Sequence, residues 1–311
     1  MATLAFVFPG QGSATVGMGR ALAQASPAAA RILDRLAELC PDVRKLIEEG
    51  PKDELIRTAN AQPAIFAVDC ACLAALEERG IRPDIVAGHS LGEYAALVAA
   101  GVVDFETGLR LVVERGARME ESTSARPGTM LAVLGLTTEQ VDEIVARWQE
   151  CGVIANANDN APGQIVVSGE ADVLSAAAAD FRESGARVME LAVGGAFHSA
   201  LMADGERAFR PTLVAAPFVD GRVPLVSNYT AMPSTDAATL KAALQAQITG
   251  RVRWRESVEA MVATGADAFV EVGPGKVLSG IVQRCTKGRP VTVLNVEDPA
   301  SLEKTVDALR A

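Results

Sequence analysis

The segment Gly88–Gly92, which reads glycine, histidine, serine, leucine, glycine, has the residue types of a serine nucleophile. A short apolar stretch at 84–87 precedes it, and an alanine-rich amphipathic stretch begins at Glu93. A strand-to-helix turn of this form strains the serine backbone, exposes the hydroxyl and turns backbone N–H groups toward a developing oxyanion. The pattern predicts that Ser90 attacks an acyl carbon; the alternative is a chance match in a glycine-rich chain.

A nucleophilic serine needs a general base, and the chain holds only two histidines, His89 and His198. His89 precedes Ser90 in the tight turn, where neighbouring side chains diverge, so its ring is not expected to reach the hydroxyl. His198 follows the apolar stretch 188–193 in a loop of small residues, where functional residues often lie. We therefore predict His198 as the base, against the alternative of a buried histidine bonded to a backbone carbonyl.

Gln11 lies in a glycine-rich turn after the strand-like stretch 4–8. Its backbone N–H is predicted to face the same edge as Ser90 and to form an oxyanion hole with the N–H of Leu91. The alternative is an ordinary strand-to-helix turn, and spacing alone does not separate the two.

Arg115 falls on the border of the apolar face of a helix predicted from Phe105 to about Glu121. A half-buried arginine is normally paired with a carboxylate, because an unpaired buried charge is expensive. We expect that carboxylate to belong either to the protein, which is the commoner case, or to a ligand.

The composition indicates the size and class of the protein that holds these residues. The 311 residues are 49% hydrophobic and 22% charged, enough for one large domain plus a smaller one. The five cysteines are scattered and odd in number, which indicates reduced packing residues, and two histidines without a spaced cysteine cluster argue against a metal site. Because no continuous apolar run or targeting segment is evident, we expect a cytoplasmic protein without membrane contact.

The net charge of −10 argues against nucleic acid as a partner. Two local basic clusters remain, and such clusters are more often solvated faces than docking sites. The first comprises Arg251, Arg253 and Arg255, and the second comprises Lys276, Arg284, Lys287 and Arg289.

Alternating strand and helix patterns in the first part of the chain predict a parallel α/β sheet, with a helix over 63–78 that has Pro63 in its first turn. Residues 128–195 have the order β-α-β-β-α-β, which predicts a ferredoxin-like subdomain inserted between the serine and the histidine. The large domain is then 1–127 and 196–311. The six inserted elements are predicted as strands at 129–136, 153–157, 164–168 and 186–193 and helices at 138–149 and 171–184.

Five segments together resemble the malonyl-CoA:acyl carrier protein transacylase family. Each is weak alone, but their joint occurrence, in the right order over essentially the whole chain, is specific. They are Phe8–Ser13, Gly88–Glu93, Glu114–Gly116, Ala196–His198 and Glu271–Lys276. The resemblance implies a ping-pong transfer of malonyl between two thiols on an α/β-hydrolase-like core, with malonyl-CoA and acyl carrier protein as partners and no cofactor.

The resemblance also implies roles for individual residues. Ser90 would form the malonyl ester, His198 would move the proton, and the N–H groups of Gln11 and Leu91 would stabilise the oxyanion. Arg115 would hold the free malonyl carboxylate in a bidentate pair.

Two further residues are carried over from the family pattern. Gln247 would orient His198 through its backbone carbonyl in place of a triad acid, and Asn160 matches an asparagine near the family's site. Leu91 after the serine, and Ala196 and Phe197 before the histidine, resemble the malonyl-selecting version of the family, so bulkier branched acyl groups are not expected.

The chain departs from the family at two places. Gly250 and Arg251 stand where the family often has Asn-Pro, which puts the geometry of the loop carrying Gln247 in question. Ala14 replaces a commoner glutamine in the N-terminal turn.

Two other functions stay open. An acyl-CoA thioester hydrolase of similar fold would use the same Ser90 and His198, but such an enzyme normally has an acid between them in the chain, and the acids there fall in the inserted subdomain. A non-catalytic acyl-binding protein has no use for the strained strand-to-helix turn that exposes Ser90, which we call the serine elbow. The sequence favours a monomer without establishing it, and leaves open whether the carrier protein serves fatty acid or polyketide synthesis.

Overall fold

The computed structural model describes residues 3–310. Within them, ten strands are numbered in chain order: β1 Thr3–Phe8, β2 Ile85–Gly88, β3 Thr129–Leu134, β4 Ile154–Ala161, β5 Gln164–Gly169, β6 Arg187–Glu190, β7 Leu225–Val226, β8 Pro233–Ser234, β9 Ala266–Val272 and β10 Thr292–Val296.

Fourteen α-helices are formed by the same residues, together with a short 3₁₀ helix at Ala200–Met202. They are α1 Arg20–Ala25, α2 Pro27–Leu39, α3 Pro41–Glu49, α4 Lys52–Leu55, α5 Thr58–Glu78, α6 Gly92–Ala100, α7 Phe105–Ala125, α8 Thr138–Trp148, α9 Ala171–Glu183, α10 Ala203–Ala215, α11 Ala237–Gln245, α12 Trp254–Ala263, α13 Val277–Cys285 and α14 Pro299–Arg310.

The larger sheet has the strand order β10-β9-β1-β2-β7-β8, and only β8 runs antiparallel to its neighbour. Its strands are apolar on both faces because helices cover both. In β1, Phe6 and Phe8 pack into the core with α5, whereas Ala5 and Val7 pack with α12 and α13. Phe8 pairs with Gly88, so the loops after β1 and β2 open at the same sheet edge, where α/β folds bind ligands.

The smaller sheet is antiparallel, has the order β4-β5-β3-β6 and packs against α8 and α9. The order of its elements along the chain matches the predicted β-α-β-β-α-β. The predicted boundaries were wrong at β4, which continues to Ala161, and at β6, which ends at Glu190. β4 reads Ile-Ala-Asn-Ala-Asn-Asp-Asn-Ala and contains two register shifts, so its polar residues resemble a turn in the sequence.

Helix α5 begins at Thr58, so the prediction that Pro63 lies in its first turn was wrong. The backbone N–H of Ala59 donates to Glu120 Oε2 of α7 at 2.9 Å, a tertiary contact that satisfies the helix start and leaves no local signal. The helix is long and apolar enough to cross a membrane by length and composition alone. However, 83% of its most apolar window is buried inside the protein, as in a core helix.

Candidate active site

The turn between β2 and α6 has the predicted strained form. Ser90 has a φ of 52°, which lies in the left-handed region that residues other than glycine rarely adopt. A Cβ atom on Gly88 would lie 1.9 Å from the carbonyl carbon of Gly92, and one on Gly92 would lie 2.1 Å from the carbonyl oxygen of Phe8. Only glycine fits at these two positions, which is why the turn can bring Ser90 to the sheet edge.

Ser90 and His198 meet across 108 residues of chain, with Oγ 2.8 Å from Nε2. The other ring nitrogen, Nδ1, lies 3.0 Å from the carbonyl oxygen of Gln247 and 3.1 Å from that of Gly250. Carbonyl oxygens only accept hydrogen bonds, so Nδ1 carries the proton and Nε2 presents its lone pair to the serine hydroxyl. This is the tautomer that a general base requires.

Burial and, secondly, the nearby positive charge of Arg115 lower the pKa of His198 to about 3. The two carbonyls act in the opposite direction but do not outweigh burial. His198 is therefore neutral at physiological pH and able to take a proton. It also has a positive φ, 58°, so both members of the pair are held in strained backbone.

Arg115 is 1% exposed and lies directly beside the nucleophile. Its Nη2 donates to Ser90 Oγ and to Gln247 Oε1, both at 3.1 Å, and Nη1 donates to Gln62 Oε1 at 2.9 Å. Its carbon Cζ lies 5.5 Å from the centre of the Tyr94 ring. Because Arg115 donates to Oγ, the hydroxyl hydrogen of Ser90 is free to point at His198.

Of the two alternatives for a carboxylate partner of Arg115, the protein one is not found at hydrogen-bonding distance among residues 3–310. The hydrogen-bond acceptors of Arg115 are the serine hydroxyl and two amides, and over residues 3–310 its buried Nε has no acceptor. The site therefore contains a desolvated cation with a spare donor.

Gln247 is placed where the resemblance implied, with its carbonyl on His198. Its side chain adds contacts that sequence reasoning did not foresee: Nε2 donates to the Ser90 carbonyl at 3.0 Å and to Glu93 Oε2 at 2.7 Å. The Gly250 carbonyl shares the histidine, so the glycine that replaces the family's Asn-Pro still supplies an acceptor.

Gln11 and Leu91 lie on either side of the nucleophile, on the loops after β1 and β2. Among residues 3–310, neither backbone N–H has a hydrogen-bond acceptor, whereas the Gln11 side chain donates to Thr58 Oγ1 at 3.0 Å. Gln11 and Ser90 line the same cavity.

The cavity in front of Ser90 has a volume of about 420 Å³ and lies between the two sheets. Its walls are mainly apolar, from Met119, Met130, Val166 and Phe197. Asn160 lies on the same wall, but its Oδ1 is 2.8 Å from Nε2 of His89, so His89 contacts the cavity wall and not the nucleophile.

Three residues of the site were missed. Asn228 accepts from the Ser90 N–H through Oδ1 and donates to the Gly88 carbonyl through Nδ2, both at 2.6 Å, so it holds the elbow from both sides. Gln62 accepts a hydrogen bond from Arg115, and Glu93 accepts one from Gln247. The available signals were a polar residue inside the apolar helix α5 and an acid at the start of the apolar helix α6.

The two basic clusters differ in their partners. In the first, Arg251 pairs with Asp142 at 2.6 Å, Arg255 pairs with Asp159 at 3.1 Å, and Arg253 pairs with Glu256. In the second, Lys276 lies 3.7 Å from Glu297, Arg284 donates to Gln164 on the cavity wall at 3.0 Å, and Lys287 and Arg289 are exposed.

A serine elbow with a neutral histidine and a buried cation at the carboxyl edge of a parallel sheet is suited to holding an acyl group on oxygen and passing it on. Residues 5–304 match the family model described as the acyl transferase domain, and the chain belongs to this acyltransferase family.

Similar proteins and solved structures indicate which kind of acyltransferase the chain resembles. The chain is 41% identical to the malonyl CoA-acyl carrier protein transacylase of Bacillus subtilis, over 100% of this chain and 98% of that protein, and 40% identical to the Synechocystis enzyme of the same name, over 90% and 92%. The crystal structure of the Clostridium perfringens transacylase superposes with a TM-score of 0.94 at 37% identity, over 99% and 98% of the two chains. A malonyl-transacylase in complex with a type II PKS acyl-carrier protein superposes equally well, with a TM-score of 0.94 at 34% identity, over 99% and 100%.

The low pKa of His198 predicts a flat pH profile for acylation. Between about pH 5 and about pH 8, the rate at which Ser90 reacts with an uncharged activated acyl ester should change by less than about threefold, because the histidine stays neutral throughout. Intact-mass measurement of the acyl-protein against time checks this, with Ser90→Ala as the blank. A rate that falls with a midpoint near the ordinary histidine value of 6.5 would contradict the effect of burial.

Proposed function

We propose that this acyltransferase moves a malonyl group from malonyl-CoA to the phosphopantetheine thiol of an acyl carrier protein, through a malonyl ester on Ser90. The observation that carries the proposal is Arg115, a buried cation that donates to the nucleophile's oxygen and has a donor to spare. A free carboxylate on the incoming acyl group is the partner that such a guanidinium binds best. The names of the relatives support the same substrates.

In the first half-reaction, His198 Nε2 takes the hydroxyl proton while Ser90 Oγ attacks the thioester carbon. The N–H groups of Leu91 and Gln11 stabilise the oxyanion, and the tetrahedral intermediate expels the CoA thiolate, which takes the proton from His198. Carbonyls of Gln247 and Gly250 keep the imidazole oriented and stabilise its positive charge. When the malonyl carboxylate pairs with Arg115, less positive charge acts on His198 and its basicity rises.

In the second half-reaction, the carrier-protein thiol gives its proton to His198, and the sulfur attacks the malonyl ester. The intermediate then releases Ser90 Oγ, which recovers the proton. CoA and the carrier thiol are chemically equivalent nucleophiles, so one site serves both halves, and no metal or cofactor enters the reaction. A hydrolase reading has less support, because His198 is oriented by carbonyls where hydrolases of this kind use an acid.

We also propose that residues 128–195 form a ferredoxin-like subdomain inserted in an α/β-hydrolase-like domain made of 1–127 and 196–311. The strand order β4-β5-β3-β6 and the β-α-β-β-α-β element order support this. We propose a monomer as the working unit. A cytoplasmic location fits an acyl-CoA substrate and five unpaired cysteines.

For the carrier protein, we propose docking at Arg284 and Lys287 of the second basic cluster. Carrier proteins are generally acidic, and this chain has a net charge of −10, so docking needs a local positive surface. Arg284 contacts Gln164 on the cavity wall, and α13 lines the same cavity, which places these cations at its mouth. The arginines of the first cluster already have carboxylate partners.

Ser90→Ala tests the acyl-enzyme. After incubation with malonyl-CoA alone, intact-mass analysis should show one malonyl group on the unchanged protein and none on the variant, because Ser90 is the proposed nucleophile. Acyl carrier protein should then remove that group and acquire it. A Ser90→Ala protein that still takes up malonyl, or steady release of CoA without any carrier protein, would contradict the proposal, the latter in favour of the hydrolase.

Arg115→Ala tests acyl selectivity. Loss of a buried bidentate pair should weaken malonyl transfer by on the order of 2–4 kcal/mol, about 30-fold to 1000-fold in rate, whereas acetyl transfer changes far less. The malonyl-to-acetyl ratio of kcat/KM measures this directly. Arg110→Ala, an exposed arginine of the same helix, is the matched control and should leave the ratio unchanged. An unaltered ratio in Arg115→Ala would reduce that residue to a structural role.

Reversing Arg284 and Lys287 to glutamate tests docking. We expect KM for the carrier protein to rise roughly tenfold and its salt dependence to weaken, with acylation by malonyl-CoA nearly unchanged. The double variant Arg82→Glu and Lys304→Glu is the matched control. It makes the same charge change at two exposed residues outside the cavity lining and should behave like the unchanged protein. Equal carrier-protein kinetics in both double variants would move the docking surface elsewhere.

A further inference from the structure

A buried carboxyl lies close to Arg115. Glu93 is 1% exposed and lies in the first turn of α6. Its Oε2 accepts from Gln247 Nε2 at 2.7 Å and from the backbone N–H of Asn228 at 3.1 Å. None of the acyl-transfer steps uses this carboxyl, so those steps do not explain an acid in a dry interior.

Gln247 connects Glu93 to the arginine. Glu93 and the Ser90 carbonyl both accept from Nε2, which forces the amide oxygen Oε1 to face the other way. There Oε1 accepts from Arg115 Nη2 at 3.1 Å. The carboxyl therefore sets the orientation of the amide that holds Arg115, and the two charges lie on opposite sides of one carboxamide group.

Glu93 also balances the charge of Arg115. No carboxylate in residues 3–310 is within hydrogen-bonding distance of Arg115, and Glu93 is the acid one side chain away. Burial raises the pKa of Glu93 to about 7, opposed by hydrogen bonds from Gln247, Asn228 and Ser227 and by the charge of Arg115. With Glu93 ionised, the buried pair is neutral as a whole.

We propose that Glu93 is the counter-ion of Arg115 in the free protein and becomes protonated from solvent when a malonyl carboxylate binds Arg115, with an uptake of up to one proton per site that depends on pH. The proposal rests on the malonyl site described above. Before binding, the buried charges are one positive and one negative. After binding, they are Arg115 and the malonyl carboxylate, and Glu93 has become neutral, so the interior again has no net charge. An acetyl group brings no charge and leaves Glu93 ionised.

The number of protons taken up on binding measures this directly. Ser90→Ala protein binds malonyl-CoA without turnover, and calorimetry in two buffers of different ionisation enthalpy gives the protons absorbed. If pairing raises the pKa of Glu93 by about one unit, roughly half a proton is expected near pH 7.5 and almost none near pH 5.5. Acetyl-CoA has the same phosphates, so subtracting its value removes their contribution.

Because binding takes up protons, the affinity for malonyl-CoA should also depend on pH. In the Ser90→Ala background, malonyl-CoA binding should weaken about eightfold from about pH 5.5 to about pH 8.5, because more protons must be taken up at high pH. Adding Glu93→Gln keeps an oxygen that can accept from Gln247 and Asn228 but cannot titrate, so both the proton uptake and the pH dependence should disappear. Asp69→Asn is the matched control: Asp69 is fully buried and its pKa is raised by burial, but it makes no contact with Arg115, and the uptake should remain.

Three results would decide against the proposal or its basis. Proton uptake that persists in Glu93→Gln would assign it to another group and overturn the inference. Malonyl-CoA binding that depends on Arg115 but absorbs no protons would also overturn it, while leaving the malonyl site intact. Binding that is unaffected by Arg115→Ala would instead contradict the proposed function.

Discussion

A guanidinium held in a dry interior beside a serine hydroxyl is the interaction on which the rest of this site depends. Removing such an ion from water costs several kcal/mol, so the surroundings must supply polar partners. Gln62 of α5, Gln247 after α11 and Ser90 itself supply them. The guanidinium's contact with Oγ leaves the serine hydrogen free for His198. Its charge adds to burial in lowering the pKa of His198, and it opposes the rise in the pKa of Glu93 that burial causes. Four segments distant in sequence are thus organised around one side chain.

The chemistry was more predictable from sequence than the geometry that supports it. Ser90 could be found because a strained elbow restricts its neighbours to glycine, and His198 because the chain has only two histidines. The Gly250 carbonyl that helps to orient the base could not be found, since every residue carries a carbonyl. Asn228 reaches Ser90 across 138 residues, and only the pairing of β2 with β7 brings them together.

The errors in the fold have a common cause. A sequence pattern reports local preference, whereas the start of α5 is stabilised by Glu120 from another helix, and β4 is an apparently turn-like run held as a strand by its neighbours. For a related reason, the sequence could not decide whether the carboxylate partner of Arg115 belongs to the protein or to a ligand. Periodicity showed that the arginine faces the interior, but it carries no information about which buried groups share that space.

Strand β4 has a consequence for motion. Its Asp159 N–H donates to the Val252 carbonyl at 3.0 Å, and the Val252 N–H donates to the Ala157 carbonyl at 2.8 Å, so the small sheet is bonded to the segment just after Gly250. The ion pair between Arg251 and Asp142 reinforces the join. Hydrogen bonds therefore join β4, which forms part of the cavity wall, to the segment whose Gly250 carbonyl orients the imidazole of His198. Any displacement of the small sheet at this join would also displace the Gly250 carbonyl that orients the imidazole of His198.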